Sequence, residues 1–375
     1  MIKSQTGMQS NRSAVAIVLL AGALAASFTA SFTASLIASP SAALAQQAGN
    51  SQKLKAVVGF PPGGGVDTPA RLFFRYFAKH NGGQAPVVQN MPGAAGVIAL
   101  NYMAARAPRD GSEIIFDNWA PVLMQLTRRK PVRYDYNKMS IIGAMKSGTY
   151  LMFVRKAAVP GGFKTQGDLL KDKTFVFAGQ NPTLVLDIYA RLSLNLLGVK
   201  YKYVSGYRGA PARFLAIQRG EADIASGALQ GYRSAAEPQL VKTGHAAPLW
   251  YFADEDSKGN AVKDPNIPDM PMFREVYRKV KGTEPSGVTW KALQLMGRVT
   301  GQWIVMGPPG LKPEVQQQLS TAFYATLADP EYRKEAQRIL GFETTPVQRD
   351  DALRLISEVS KAYPATVAEI AKLMK

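Results

Sequence analysis

The stretch Ala56-Val-Val-Gly-Phe-Pro-Pro-Gly-Gly-Gly-Val-Asp-Thr-Pro-Ala-Arg71 decides how this chain is read. Ala56 to Phe60 has the apolar character of a buried strand, and Pro61 and Pro62 stop it. Gly63, Gly64 and Gly65 allow a turn in which backbone comes close to a ligand. Thr68 or Asp67 then reads as a helix cap, with Pro69 in the first turn, where its missing N–H costs nothing. Uncapped amides from Gly65 to Thr68 would face whatever fills the turn, which is the chemistry of an anion site. The stretch reads equally well as an ordinary tight strand-to-helix turn.

Two familiar phosphate loops are excluded. A dinucleotide fingerprint needs a glycine where Thr68 stands, and a Walker loop needs a Gly-Lys-Ser/Thr that does not follow. A carboxylate is the more natural guest of bare amides plus one hydroxyl.

Working outward, the amino terminus reads as an export signal. Lys3 and Arg12 precede an apolar run from Ala14 to Ala26, and Ala43-Leu44-Ala45 offers a cleavage site before Gln46. Removing residues 1–45 from 375 leaves 330 residues, enough for two domains with cores. The charge falls from +18 to +16, since only Lys3 and Arg12 are charged in the removed segment. The chain has no cysteine, hence no disulfide and no lipid-anchored cysteine, so a free periplasmic protein is expected. Its basic residues are scattered, and the longest run is Arg128-Arg129-Lys130, which argues against nucleic acid and for an anionic ligand.

Strand-like and helix-like segments alternate through the mature chain, predicting an α/β architecture with mainly parallel sheets. Predicted strands cover 56–60, 86–90, 113–117, 150–154, 174–178, 201–204, 222–225, 249–252 and 303–306. The clearest helices cover 69–80, 94–105, 182–197, 210–219, 313–327 and 350–374. A second strand-loop-helix unit, Phe175-Val-Phe-Ala-Gly-Gln-Asn-Pro-Thr183, repeats the opening chemistry, with Pro182 expected in the first turn of a helix. The polar segment from Asp254 to Pro271 reads as a long surface loop.

Signs of catalysis are few. His80 and His245 both sit at turns without spaced partners, and no GxSxG elbow, HExxH pair or CxxC occurs. Calcium-loop spacing is absent, so neither a metal nor a cofactor is expected. Phe73, Phe74, Tyr76 and Phe77 have the spacing of core packing. Tyr207 follows a strand and would present a phenol to a cleft together with the amides of Arg208 and Gly209; the Arg208 guanidinium reads equally as a partner for a ligand carboxylate and as a surface charge. Asp187 is read as favourable to its helix dipole.

Four blocks of sequence resemble the substrate-binding proteins of tripartite tricarboxylate transporters, the Bug receptors. They are Phe60 to Arg71, Asn90-Met-Pro-Gly-Ala-Ala-Gly96, Ala107-Pro-Arg-Asp-Gly111, and Tyr207-Arg-Gly-Ala-Pro-Ala followed by Gly220-Glu-Ala-Asp223. The resemblance spans essentially the whole mature chain. It implies a type II periplasmic binding fold, in which two α/β domains close on a small carboxylate and hand it to the membrane subunits of a transporter. Residues 46–150 and 255–375 would form one domain and 151–254 the other, in a monomer. Carried over by position, the ligand contacts are Phe60, Pro62, Gly64, Gly65, Asp67, Thr68 and Asn90 on one side. Gln180, Thr183, Tyr207, Arg208 and Gly209 face them on the other.

Departures from the family pattern bear on the ligand. Gly179-Gln180-Asn181-Pro182 and Val204-Ser-Gly-Tyr-Arg-Gly209 replace the usual loops, and Trp119 follows the third strand, where an indole would supply an apolar cleft wall. The alternative function is a secreted α/β hydrolase or lyase using Asp67 or Asp117 as a base. A further one is a receptor that presents its ligand to a sensor protein.

Overall fold

Ala56, Val57 and Val58 are fully buried, as a strand covered on both faces must be. They lie in β1 (Lys55–Val58), which pairs in parallel with β2 (Val87–Asn90) on one side and β3 (Glu113–Asn118) on the other. The computed structural model describes residues 54–255 and 260–375. Residues 1–45, expected to be an export signal, and part of the polar loop after Asp254 lie outside the described residues.

The first sheet is completed by β4 (Ser140–Lys146), β12 (Gln302–Gly307) and β13 (Pro346–Val347), in the order β13-β4-β12-β3-β1-β2. The second holds β5 (Tyr150–Arg155), β6 (Phe175–Ala178), β7 (Tyr201–Val204), β8 (Ile224–Ala228) and β9 (Ala246–Tyr251), in the order β7-β6-β8-β5-β9. A short antiparallel hairpin joins β10 (Asp254–Glu255) to β11 (Ala261–Val262).

Both sheets are mixed, where mainly parallel ones were expected. β12 runs antiparallel to β3 and β4, and β5 runs antiparallel to β8 and β9. The physical reason is the route of the chain. β5 enters the second sheet directly from β4 through Ser147 to Thr149 with no helical crossover, and β12 re-enters the first sheet late, straight after helix Gly287–Val299. Prolines in strands fall on edges: Pro346 in β13, and Pro248 in β9, whose pairing with β5 shifts register.

The expected strand list missed β4. Gly143 interrupts its apolar pattern, and a Cβ there would stand 2.3 Å from the Phe323 ring, so the glycine marks close helix-on-sheet packing. The helix expected over 350–374 is two, Arg349–Ser360 and Pro364–Leu373, because Pro364 starts a new one. The helix expected from Pro182 starts at Val185, and that expected over 94–105 is a 3₁₀ turn, Ala94–Gly96, followed by Val97–Ala105. Helices Phe273–Lys281, Gly287–Val299 and Pro330–Leu340 were not anticipated. Gly287–Val299 packs against helices Val185–Leu197 and Pro364–Leu373.

The helix Asp67–His80 behind the opening loop is anchored by aromatics. Phe73, Phe74 and Phe77 are buried, with Phe73 centred 5.9 Å from Phe116 and 5.2 Å from Phe323. That anchoring fixes the helix N-terminus at the end of β1.

Candidate functional site

The loop after β1 is held by one carboxylate. Asp67, 1% exposed, accepts from Gly63 N at 2.8 Å, Arg71 Nε at 2.8 Å and Asn90 Nδ2 at 2.7 Å. Asn90 Nδ2 also donates to Phe60 O at 2.8 Å, while its Oδ1 accepts from Arg71 Nη2 at 2.9 Å. Burial alone would raise the Asp67 pKa, but hydrogen bonds from Arg71, Asn90 and Gly63 outweigh it and hold the carboxyl below its ordinary value.

The expectation for Asp67 and Asn90 is therefore corrected. Their polar atoms are engaged inside the loop, and they act as its braces. Neither Asp67 nor Thr68 caps the helix; Val66 precedes it without a side-chain cap. Thr68 N is also consumed, donating to Gly64 O at 3.0 Å. What stays open is narrower than expected: the N–H groups of Gly65, Val66 and Asp67 donate to no acceptor among the described residues. Pro62 and Gly65 are exposed, Gly64 and Phe60 half-buried, and a depression of about 390 Å³ is lined by Pro62, Gly63, Asp67, Thr68 and Arg71.

The loop after β6 repeats this construction. Asp187, fully buried near the start of helix Val185–Leu197, accepts from Gln180 N at 2.6 Å, Asn181 N at 3.2 Å and Tyr203 Oη at 2.8 Å. It thus does more than complement a helix dipole. Burial raises its pKa, opposed by the charge of Arg213 and by these hydrogen bonds. Gly179 belongs to the same packing, since a Cβ there would lie 2.0 Å from the Tyr203 ring.

Around this second loop most amides are spoken for, while the N–H groups of Ser205 and Arg208 donate to no acceptor among the described residues. Asn181 Oδ1 accepts from Thr183 N at 3.0 Å and Thr183 Oγ1 at 2.8 Å. Gly206 N donates to Gln180 O, and Tyr207 N to Gly179 O, each at 3.1 Å. Gly209 N, expected to face a ligand, donates to Gln180 Oε1 at 3.1 Å. Arg208 is exposed and Tyr207 half-buried at the rim.

One residue that sequence reading passed over stands beneath the loop. Arg213, 4% exposed in helix Gly209–Arg219, places Nη1 3.5 Å from Gln180 Oε1 and leaves Nε buried without a partner. In sequence it is one arginine among many on a helix, and only its burial marks it out.

Trp119 is placed elsewhere than expected. Its ring is fully buried and stacked 5.8 Å from Tyr136, so it fills core and does not wall a cleft. Asp117 is also fully buried. Oδ1 accepts from Asn118 N at 2.7 Å, Oδ2 has no partner, and burial drives its pKa well up. Asp223 is a third brace, holding Arg155 Nη2 at 2.7 Å, Lys173 Nζ at 3.3 Å and Val176 N at 3.0 Å.

A cavity of about 760 Å³ lies apart from all of these, walled by Tyr189, Phe252, Phe273 and Trp290. Two of its guanidiniums are already matched, Arg298 with Glu358 and Arg354 with Asp351, which weakens its claim on an anion. Among the described residues no group of three or more His, Cys, Asp or Glu is placed to hold a metal, and no helix is long and apolar enough to cross a membrane.

No protein-family profile matches the chain. An R. palustris protein solved with adipate superposes with a TM-score of 0.61 at 21% identity, over 86% of this chain and 97% of that one. The periplasmic binding protein BugD superposes with a TM-score of 0.61 at 19% identity, over 86% and 97%. The fold is that of the Bug-type periplasmic binding proteins. MatC of Rhodopseudomonas palustris, solved with bound malate, agrees, with a TM-score of 0.60 at 19% identity over 86% and 99%. In sequence, a UPF0065 protein from the tcbD-tcbE intergenic region of a Pseudomonas species is 24% identical over 305 residues, covering 78% of this chain and 79% of that protein. The α/β fold expected from the alternation and the likeness carried by the four sequence blocks lead to the same group of Bug-type proteins.

Proposed function

We propose that this protein is a periplasmic solute receptor that captures a small organic anion, a carboxylate, and delivers it to the membrane subunits of a tripartite tricarboxylate-type transporter. Residues 46–150 with 255–375, and 151–254, would be the two lobes, closing on the ligand between the loops after β1 and β6. The observation that carries the reading is the pair of strand-to-helix loops, each ending a parallel strand and each braced by a buried aspartate of its own helix. The brace leaves open N–H groups on the first loop and a buried guanidinium under the second, which is machinery for holding an anion. Relatives solved with malate and adipate support that ligand class.

The enzymatic alternative loses its two bases. Asp67 is engaged by three donors, and Asp117 is buried with its proton favoured. Thermal-shift screening of the mature protein against mono-, di-, tri- and aromatic carboxylates tests the proposal. A concentration-dependent rise in melting temperature with at least one carboxylate is expected, and no rise across the panel refutes it.

A further inference from the structure

A buried cation normally has a carboxylate beside it, because desolvating a guanidinium is costly. Arg213 forms no ion pair among the described residues; its one hydrogen-bond partner is Gln180 Oε1, the neutral amide oxygen at 3.5 Å. Asp187 acts on it electrostatically without forming an ion pair: its Oδ2 is committed to Gln180 N, Asn181 N and Tyr203, and its buried Oδ1 has no hydrogen-bond partner. The same Gln180 oxygen also receives Gly209 N–H, at the start of an eleven-residue helix. Two donors that suit an anion, a helix-terminal amide and a guanidinium, therefore converge on an uncharged oxygen.

We propose that the Gln180 side chain is a resident placeholder in a carboxylate hole formed by Gly209 N–H and Arg213, and that a ligand carboxylate enters by displacing it. This deepens the receptor reading above and rests on it. The exchange needs little movement of backbone. Gln180 N is held by Asp187 and Gln180 O by Gly206 N, so the loop stays in place while the half-buried side chain swings out. Replacing a neutral acceptor by a charged one strengthens both donor contacts, so the hole selects a carboxylate over the matching carboxamide.

The test is isothermal titration of the mature protein and its Q180A, R213M and R213K variants with malate, succinate, adipate and benzoate, and with the carboxamide of whichever binds best. With that acid, Q180A is expected to bind as tightly as wild type or up to about tenfold tighter, because it empties the hole. R213M is expected to lose about a hundredfold, R213K to recover part of it, and the carboxamide to bind poorly to wild type. Equal losses in Q180A and R213M would make Gln180 a direct ligand contact and overturn the placeholder. Unchanged affinity in R213M would overturn the hole while leaving the receptor reading intact. If neither these four acids nor any other carboxylate of the thermal-shift panel binds wild type, the receptor reading fails and the proposal with it. Should R213M not fold, Q180A decides alone, its unliganded melting temperature serving as the control.

Discussion

Replacing Asp67 with alanine separates a brace from a ligand contact. The substitution strands Gly63 N–H and one Asn90 N–H donor, both of which now meet a carboxylate that is 1% exposed. A hydrogen bond to a charged group contributes about 1.5 kcal/mol at the lower end of its range, so the two together contribute about 3 kcal/mol. Arg71 adds less, because its side chain is 46% exposed and the pair is screened, so about 0.5 kcal/mol is assigned to it. The expected loss is therefore about 3 to 4 kcal/mol, read as a lower urea midpoint at pH 7. Asp67→Asn keeps the shape but turns an amide nitrogen toward a donor or an arginine, and about 1 to 2 kcal/mol is expected. The pH sign follows from the lowered pKa. The contribution is fully present above the ordinary carboxylate value of 3.8 and is lost as pH falls through the folded value, so wild type and Asp67→Asn converge in acid. An unchanged urea midpoint in Asp67→Ala, accompanied by at least tenfold weaker carboxylate binding, would refute the brace and restore Asp67 as a ligand contact.

Three other outcomes follow from the same geometry. Asp117 has a raised folded pKa, so it destabilises the fold as pH rises above the ordinary carboxylate range; Asp117→Asn should flatten the dependence of the urea midpoint between pH 4 and 8, and an unaltered slope would contradict it. Gly179→Ala should destabilise by about 2 kcal/mol or more, because its Cβ meets a Tyr203 ring tethered to Asp187, whereas Gly65→Ala, with nothing within 4 Å, should melt within about 1 °C of wild type. Trp119→Phe should leave carboxylate affinity within about twofold while lowering stability by about 1 to 2 kcal/mol, since the indole packs on Tyr136 in the core; a large change in affinity would return it to the cleft.

Much of the fold was legible in the sequence because β1, β3, β6 and their loops carry local signals: apolar runs, glycine turns and prolines beside helix starts. What local signals miss is partnership across the chain. β4 hid behind Gly143, whose reason is the ring of Phe323 far along the sequence. The first sheet turned out mixed because β12 returns from the late part of the chain to lie between β3 and β4, and the second because β5 runs against β8 and β9. At the candidate site, both strand-loop-helix segments were legible, but roles were assigned by residue type. Asp67 and Asn90 are polar and near the turn, yet their hydrogen-bonding atoms point into it. Trp119 follows a strand end, as a cleft residue would, but Tyr136 gives it a stacking partner in the core. Arg213 carried no signal of its own, since its meaning depends on Gln180, thirty-three positions earlier, and on its own burial beneath that side chain.

The paired aspartate braces bear on how fast the proposed receptor would take up a solute. Each loop owes its shape to a carboxylate of its own chain, so an incoming solute has no loop to order. Under the proposed receptor function, encounter should then be governed by diffusion and by the proposed lobe closure, with observed rates rising in proportion to solute concentration until closure takes over. A receptor so built also keeps its loop shape while vacant, which makes exchange of one solute for another a matter of side chains at the rim and leaves the backbone beneath unaltered.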